Sequence, residues 1–263
     1  MSSKFHFSVF TKPWKTMPIP RLGEFVRDLG FDGIELPVRP GYQVKPENVV
    51  QDLPVVARQL AEFGVKIYSV AGPADEPTIV ACAEAGVPII RTMAHIGEDE
   101  DYLAAEARCQ QEYDALVPLL EEYGVTVGVQ NHSGRFVANA VGLRSLVGRY
   151  DPAHVAAVWD AAHEALDGGL PDLALDAIWS HLCMVNLKNA FRRRANGPEA
   201  EVAQWSVYWT AGRHGLASWP RVADELKARG YAGVVCLTAE YSDHDSVERL
   251  IAEDIAFAQS LFE

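Results

Sequence analysis

Val125-Thr126-Val127-Gly128-Val129-Gln130-Asn131-His132-Ser133-Gly134 is the stretch whose reading decides the fold. Its first half is apolar and rich in β-branched side chains, the composition of a buried strand. Its second half turns polar at Gln130, Asn131 and His132 and then reaches a Ser-Gly turn. A buried strand that opens into polar side chains and a turn is where α/β proteins place their chemistry.

The pair ahead of this strand, Tyr123-Gly124, closes a helical pattern, and the same grammar recurs. Leu29-Gly30, Phe63-Gly64, Ala85-Gly86 and Arg229-Gly230 each end a helical pattern and precede a short apolar run. Glycine accepts the left-handed conformation that closes a helix, so five such joints mark five αβ turns. Strands are expected at 6–10, 33–36, 66–70, 89–93, 126–130, 155–159, 182–187 and 234–238. Helices are expected at 19–29, 50–63, 77–85, 100–123, 138–149, 171–178, 218–229 and 246–261, with Ser218-Trp219-Pro220 a capped start. Eight βα units in 263 residues predict an α/β fold, a single-domain (β/α)8 TIM barrel over 1–263. A doubly wound sheet is the competitor, but no Gly-rich fingerprint follows the first strand, and no nucleotide cofactor is expected. The stretch 189–217 fits no element and reads as a lid-like loop over the catalytic face, or as an oligomer contact through its exposed aromatics. It holds Arg192-Arg193-Arg194, Trp205, Tyr208, Trp209, Arg213 and His214.

Composition narrows the class. With 49% hydrophobic and 22% charged residues the chain is an ordinary globular protein, and a formal net charge of −13 argues against a nucleic-acid partner. No apolar run reaches the roughly 18 residues a membrane span needs. Residues 1–10 show no leader pattern. Cys82, Cys109, Cys183 and Cys236 have no metal-site spacing and read as reduced packing residues. A cytoplasmic location is expected.

In a barrel, alternate residues of each strand face inward and the active site lies at the C-terminal ends. That rule puts Gln130 inward at the end of the fifth strand, Asp160 on the sixth and Asn186 on the seventh with Lys188 one notch further. It puts Thr238 and Glu240 inward on the eighth strand, with Glu35 on the second and Arg91 on the fourth as further candidates. Four polar strand ends converge in this way. Glu35 also has Arg39 as a candidate ion-pair partner four residues on.

Five short motifs carry a resemblance across essentially the whole chain: Phe31-Asp32-Gly33-Ile34-Glu35-Leu36, Gln130-Asn131-His132-Ser133-Gly134, Trp159-Asp160-Ala161-Ala162-His163, Val185-Asn186-Leu187-Lys188-Asn189 and Cys236-Leu237-Thr238-Ala239-Glu240-Tyr241. In order and placement they resemble the xylose isomerase-like TIM barrels, the sugar phosphate isomerase/epimerase superfamily of ketose 3-epimerases, hydroxypyruvate isomerase and inosose dehydratase. The resemblance implies a divalent cation held by Glu, Asp, His and Glu at the ends of strands five to eight, with the two Glu residues moving protons. In this chain the first Glu position holds Gln130 and the His position holds Asn186, while Asp160 is kept. The last Glu falls on Thr238 or, two residues later, Glu240. The family's substrate-binding His matches His163 and its substrate Arg matches Arg192.

A neutral amide cannot act as a general base and binds hard cations weakly. A Mg²⁺ or Mn²⁺ site would keep only Asp160 and Glu240 as anionic ligands, with His132 or His163 as candidate additions, and is weak or absent. The candidate catalytic residues are Glu240 as base, His132 or else His163 as complementary acid, and Asp160. Lys188 is placed to polarise a carbonyl instead of a metal. Glu35, Gln130, His163, Asn186, Lys188, Arg192 and Trp209 are expected to bind substrate. The expected activity is isomerisation or epimerisation of a sugar or polyol derivative by proton transfer next to a carbonyl. A dehydratase or lyase on an oxidised sugar or inosose is the alternative, and a non-catalytic sugar-binding or partner subunit is the third. A homo-oligomer is compatible with the aromatic stretch.

Overall fold

All five glycine joints are left-handed in the computed structural model, which describes residues 5–263: φ is 87° at Gly30, 75° at Gly64, 69° at Gly86, 65° at Gly124 and 70° at Gly230. Each one turns a helix back into a strand. The first four residues of the stretch examined for a leader lie outside the described residues. Among the described residues no helix is long and apolar enough to cross a membrane.

The strands are β1 (His6–Phe10), β2 (Gly33–Pro37), β3 (Lys66–Ala71), β4 (Ile89–Thr92), β5 (Thr126–Gln130), β6 (Val155–Asp160), β7 (Leu182–Leu187), β8 (Asn189–Arg194), β9 (Trp205–Thr210) and β10 (Val234–Leu237). The main helices are α1 (Ile19–Asp28), α2 (Val49–Ala61), α3 (Glu76–Ala85), α4 (Tyr102–Tyr123), α5 (Ala140–Val147), α6 (Ala161–Leu166), α7 (Pro171–Ile178), α8 (Trp219–Ala228) and α9 (Val247–Phe262). Eight strands close a parallel barrel in the order β1-β10-β7-β6-β5-β4-β3-β2. Its seam is the β1–β10 ladder, His6 opposite Val234 through Val9 opposite Leu237.

The expected strand alternation holds inside. Phe10, Ala71, Ile89, Val158, Met184, Val234 and Cys236 form one cluster within the barrel. The alternate residues, such as Trp159 and Val185, join the larger core between sheet and helices. Gly128 is a glycine for a packing reason: a Cβ there would lie 2.7 Å from Val158 Cγ2 and 3.2 Å from Ile89 Cγ2. The opening strand therefore contributes space rather than a side chain to that layer, and native packing density leaves no room for both.

Two elements depart from expectation. The stretch 189–217 is not a structureless lid-like loop, because β8 and β9 pair as an antiparallel hairpin with Ala190 opposite Trp209 and Phe191 opposite Tyr208. The helix α6 starts directly from the last residue of β6, with no glycine joint to announce it.

Candidate active site

Along β2, β4, β5 and β6, one relay of side chains crosses the mouth of the barrel. Arg91 donates from Nε to Glu35 Oε1 at 2.7 Å and from Nη2 to Glu35 Oε2 at 2.8 Å, a bidentate pair of two buried groups. Its Nη1 donates to Gln130 Oε1, and Gln130 Nε2 donates to Asp160 Oδ2 at 2.9 Å. The other Asp160 oxygen accepts the backbone N–H groups of Ala162 and His163, each at 3.0 Å, and so caps α6. Gln130 is thus an amide set between a guanidinium and a carboxylate, giving each the polarity it needs. The expected Glu35–Arg39 pair does not form: Arg91 takes the carboxylate. Burial pushes the Asp160 carboxyl up to about 6, against the pull of the Lys188 charge and the two N–H donors.

Glu240 reaches the mouth by a turn. The strand β10 ends at Leu237, and Ala239 adopts φ 50°, the left-handed region that a Cβ disfavours. That turn aims Glu240 at two ammonium groups. Lys188 Nζ lies 2.6 Å from Glu240 Oε2, and Lys12 pairs with Oε1. Burial acts to raise the Glu240 carboxyl, but the Lys188 and Lys12 charges outweigh it and hold the group at about 2. Lys188 is itself 6% exposed and sits 3.7 Å from the Trp209 ring centroid, so the hairpin supplies a π-face to the buried cation.

Next to this pair, His163 and His132 face each other with ring centroids 3.9 Å apart. The Ser133 backbone N–H donates to His163 Nδ1 at 3.1 Å, which makes Nδ1 an acceptor and leaves the proton on Nε2. His163 Nε2 is buried and has no protein partner. His132 has the opposite tautomer, because its Nδ1 lies 2.8 Å from the Ser133 carbonyl oxygen and must donate to it. Burial lowers both rings: His163 to about 2, with the Lys188 and His132 charges adding to the effect, and His132 below its ordinary value. Two neutral imidazoles result, one with an Nε2–H donor and one with an Nε2 lone pair.

A cavity of about 90 Å³ collects these groups, lined by Lys12, Arg39, Arg91, Gln130, His132, His163, Asn186, Lys188, Thr238 and Glu240 with Phe10 and Met93. Both polar atoms of the fully buried Asn186 amide lack a protein partner. Trp209 lines the adjoining groove with Lys12 and Glu240. Three expected site residues fall elsewhere. Glu35 is held behind Arg91. Asp160 is held behind Gln130, with both oxygens accepting hydrogen bonds from the protein. Arg192 is exposed on the hairpin and lines neither the cavity nor the two grooves beside it. Lys12 is a site residue that the sequence reading missed, although it sits two residues beyond β1, where the strand-end rule points.

The donor set does not fit the divalent cation implied by the resemblance. Gln130 and Asn186 are neutral, Asp160 is engaged by donors on both oxygens, and Glu240 already meets an ammonium on each oxygen. Among the described residues no group of three or more His, Cys, Asp or Glu side chains converges as a metal site.

Residues 24–261 match the family model described as a xylose isomerase-like TIM barrel. The fold is similar to that of 3-keto-D-glucoside 4-epimerase from E. coli, with a TM-score of 0.73 and 14% identity over 98% of this chain and 100% of that one. It is also similar to D-psicose 3-epimerase from Clostridium cellulolyticum H10, with a TM-score of 0.72 and 14% identity over 98% and 99%. A probable 3-DHS dehydratase from Bacillus anthracis gives a TM-score of 0.74 and 14% identity over 97% and 98%. No curated protein matches the sequence. At such identities the solved structures speak to the fold alone.

Proposed function

This chain belongs to the xylose isomerase-like TIM barrel family, and on that premise we propose that it isomerises or epimerises a sugar derivative by proton transfer next to a carbonyl. The observation that carries the proposal is the pair of complementary neutral histidines at the cavity. His132 Nε2 bears a lone pair and takes the proton from carbon. His163 lines the same cavity, and its Nε2–H, which has no protein partner, donates a hydrogen bond to the carbonyl oxygen as it gains charge. A neutral imidazole is the better donor for this task when its proton must not be lost to solvent, and burial keeps it neutral.

Lys188, itself buried, supplies the fixed positive charge that an enediolate requires, in a site walled by Trp209. Glu240 was expected as the base, but two ammonium groups make it a weak one. Its role is to hold Lys188 and Lys12 in place. The unpartnered amide of Asn186 is matched to a substrate hydroxyl, since a buried amide with no partner is costly until a ligand satisfies it. No step requires a metal.

The test is proton exchange in D₂O, read by NMR on a panel of ketoses and their isomers. Exchange at a carbon next to the carbonyl is expected, and His132→Gln is expected to slow it about 100-fold or more at unchanged substrate affinity. Full exchange in that variant sinks the assignment of the base. Loss of water from the substrate, with no exchanged sugar recovered, moves the reaction to a dehydratase. Binding without either outcome assigns a sugar-binding subunit.

A further inference from the structure

We infer that the sugar derivative taken by this cavity carries an anionic group, a carboxylate or a phosphate, seated against Arg39 and Lys12. The inference deepens the proton-transfer proposal and rests on it for the location of the substrate. Charges at the cavity decide it. Lys12, Arg39, Arg91 and Lys188 line the space, against Glu240 on the wall and Glu35 and Asp160 behind it. Four cations face three carboxylates, an excess of positive charge in a chain whose formal net charge is −13. Field from such a local excess is focused by the low-dielectric walls of a pocket and selects ligands of opposite sign.

The uncompensated group is identifiable. Arg91 is matched by Glu35, and Lys188 and Lys12 share Glu240. Among the described residues Arg39 has no carboxylate within salt-bridge reach and no side-chain hydrogen bond. Its guanidinium is held 5.6 Å from the Phe10 ring centroid, the same ring that Arg91 covers from 4.8 Å. Asp75 lines the neighbouring groove with Arg39 but forms no ion pair with it; its Oδ1 caps α3 by accepting the Thr78 N–H at 3.0 Å. Arg39 borders both the cavity and that groove, while Lys12 borders the cavity and the groove on the other side. A substrate whose carbonyl meets His163 and Lys188 therefore meets a guanidinium fork and an ammonium at the rim. Planar carboxylates and tetrahedral phosphates both suit a guanidinium that offers two parallel N–H donors.

Titration of the full chain with small probes tests this, following the histidine ring signals by NMR at fixed ionic strength. The probes are inorganic phosphate, glycolate and, as the neutral control, glycerol. Saturable shifts of the His132 and His163 signals are expected with at least one anion and not with glycerol. Saturation by phosphate alone assigns a phosphorylated substrate, and by glycolate alone a sugar acid. Arg39→Ala is expected to weaken the anion by tenfold or more, as loss of a charge-assisted hydrogen bond does. Arg193→Ala, on the exposed hairpin, is the control expected to change nothing. The Arg39 side chain has no protein hydrogen bond or ion pair to lose, so a wild-type melting curve for Arg39→Ala checks that the fold is intact. Absence of shifts with both anions, equal binding of glycerol, or unchanged anion affinity in Arg39→Ala overturns the inference. Because binding is read without turnover, a chain that binds anions through Arg39 but exchanges no proton loses the proposed reaction and keeps this inference. A chain that exchanges a neutral ketose independently of Arg39 does the reverse.

Discussion

Gln130 sits between Arg91 and Asp160, and its neutrality follows from that position. A carboxylate there would still accept from Arg91, but it would face the Asp160 carboxylate across the 2.9 Å now spanned by an N–H···O bond. Like charges at that separation in a buried site force a shared proton. Gln130→Glu should therefore lower the melting temperature, and by more at pH 8 than at pH 5. The sign follows from Asp160, whose folded value of about 6 already lies above its ordinary 3.8. A buried acid of that kind adds no penalty below its unfolded value and costs stability as pH rises through the folded one. The variant pushes the pair further in the same direction, so the cost grows with pH. Thermal melts at the two pH values check it, and an equal loss at both would contradict the like-charge account.

At the scale of elements, the hairpin matters more than a loop would. It places Trp209 against Lys188 and, with ring centroids 5.1 Å apart, against His163. Asn189 anchors both of its ends. Its Nδ2 donates to the carbonyls of Gly212 and Ala217, at 2.7 and 2.8 Å, and its Oδ1 accepts the Ala217 N–H at 2.9 Å. Asn189→Ala strands those buried backbone groups, a cost of about 3 kcal/mol, or roughly 6–12 °C in Tm for a chain of this size. Differential scanning calorimetry reads it, and a shift under 1 °C would show that the hairpin is held elsewhere. The hairpin was also the element least legible in the sequence. The barrel strands announce themselves as buried apolar runs, and β2, β3, β4, β5 and β10 each follow a left-handed glycine, so the barrel could be laid out from residue pattern alone. Trp205-Ser206-Val207-Tyr208-Trp209-Thr210 has strand-forming side chains, yet the strand is half-exposed and its partner ends in three arginines, so no apolar run marks the pair. Convergence of Gln130, Asn186, Lys188 and Glu240 at the mouth was legible from strand alternation. Pairing was not: Glu35 and Arg91 meet across the intervening β3, which local spacing cannot show. The left-handed turn at Ala239 was equally hidden, because nothing about an alanine signals it.

Taken as a whole molecule, the chain keeps the family barrel while the fixed charges at its mouth differ from those a metal site needs. A carboxylate-lined centre needs a cation to be stable, and here protein groups supply the cations: Arg91 against Glu35, Lys12 and Lys188 against Glu240. The remaining ligand positions are amides, which carry no charge for a hard cation to neutralise. A ligand that binds the folded state raises its stability by RT ln(1 + [L]/Kd), so a resident divalent ion would be visible in the melting temperature. Chelator-treated protein should therefore melt at the same temperature with and without millimolar Mg²⁺ or Mn²⁺, and its proton-exchange rate should be unaffected by either ion. In a chain of this size about 1 kcal/mol corresponds to roughly 2–4 °C, well within the precision of calorimetry. A rise of that size on adding Mn²⁺, accompanied by faster exchange, would mean that Lys12 and Lys188 yield Glu240 to the metal and that the charge at this mouth is interchangeable. Unchanged melting and unchanged exchange would establish that protein groups, and not a divalent ion, supply the charge at this mouth.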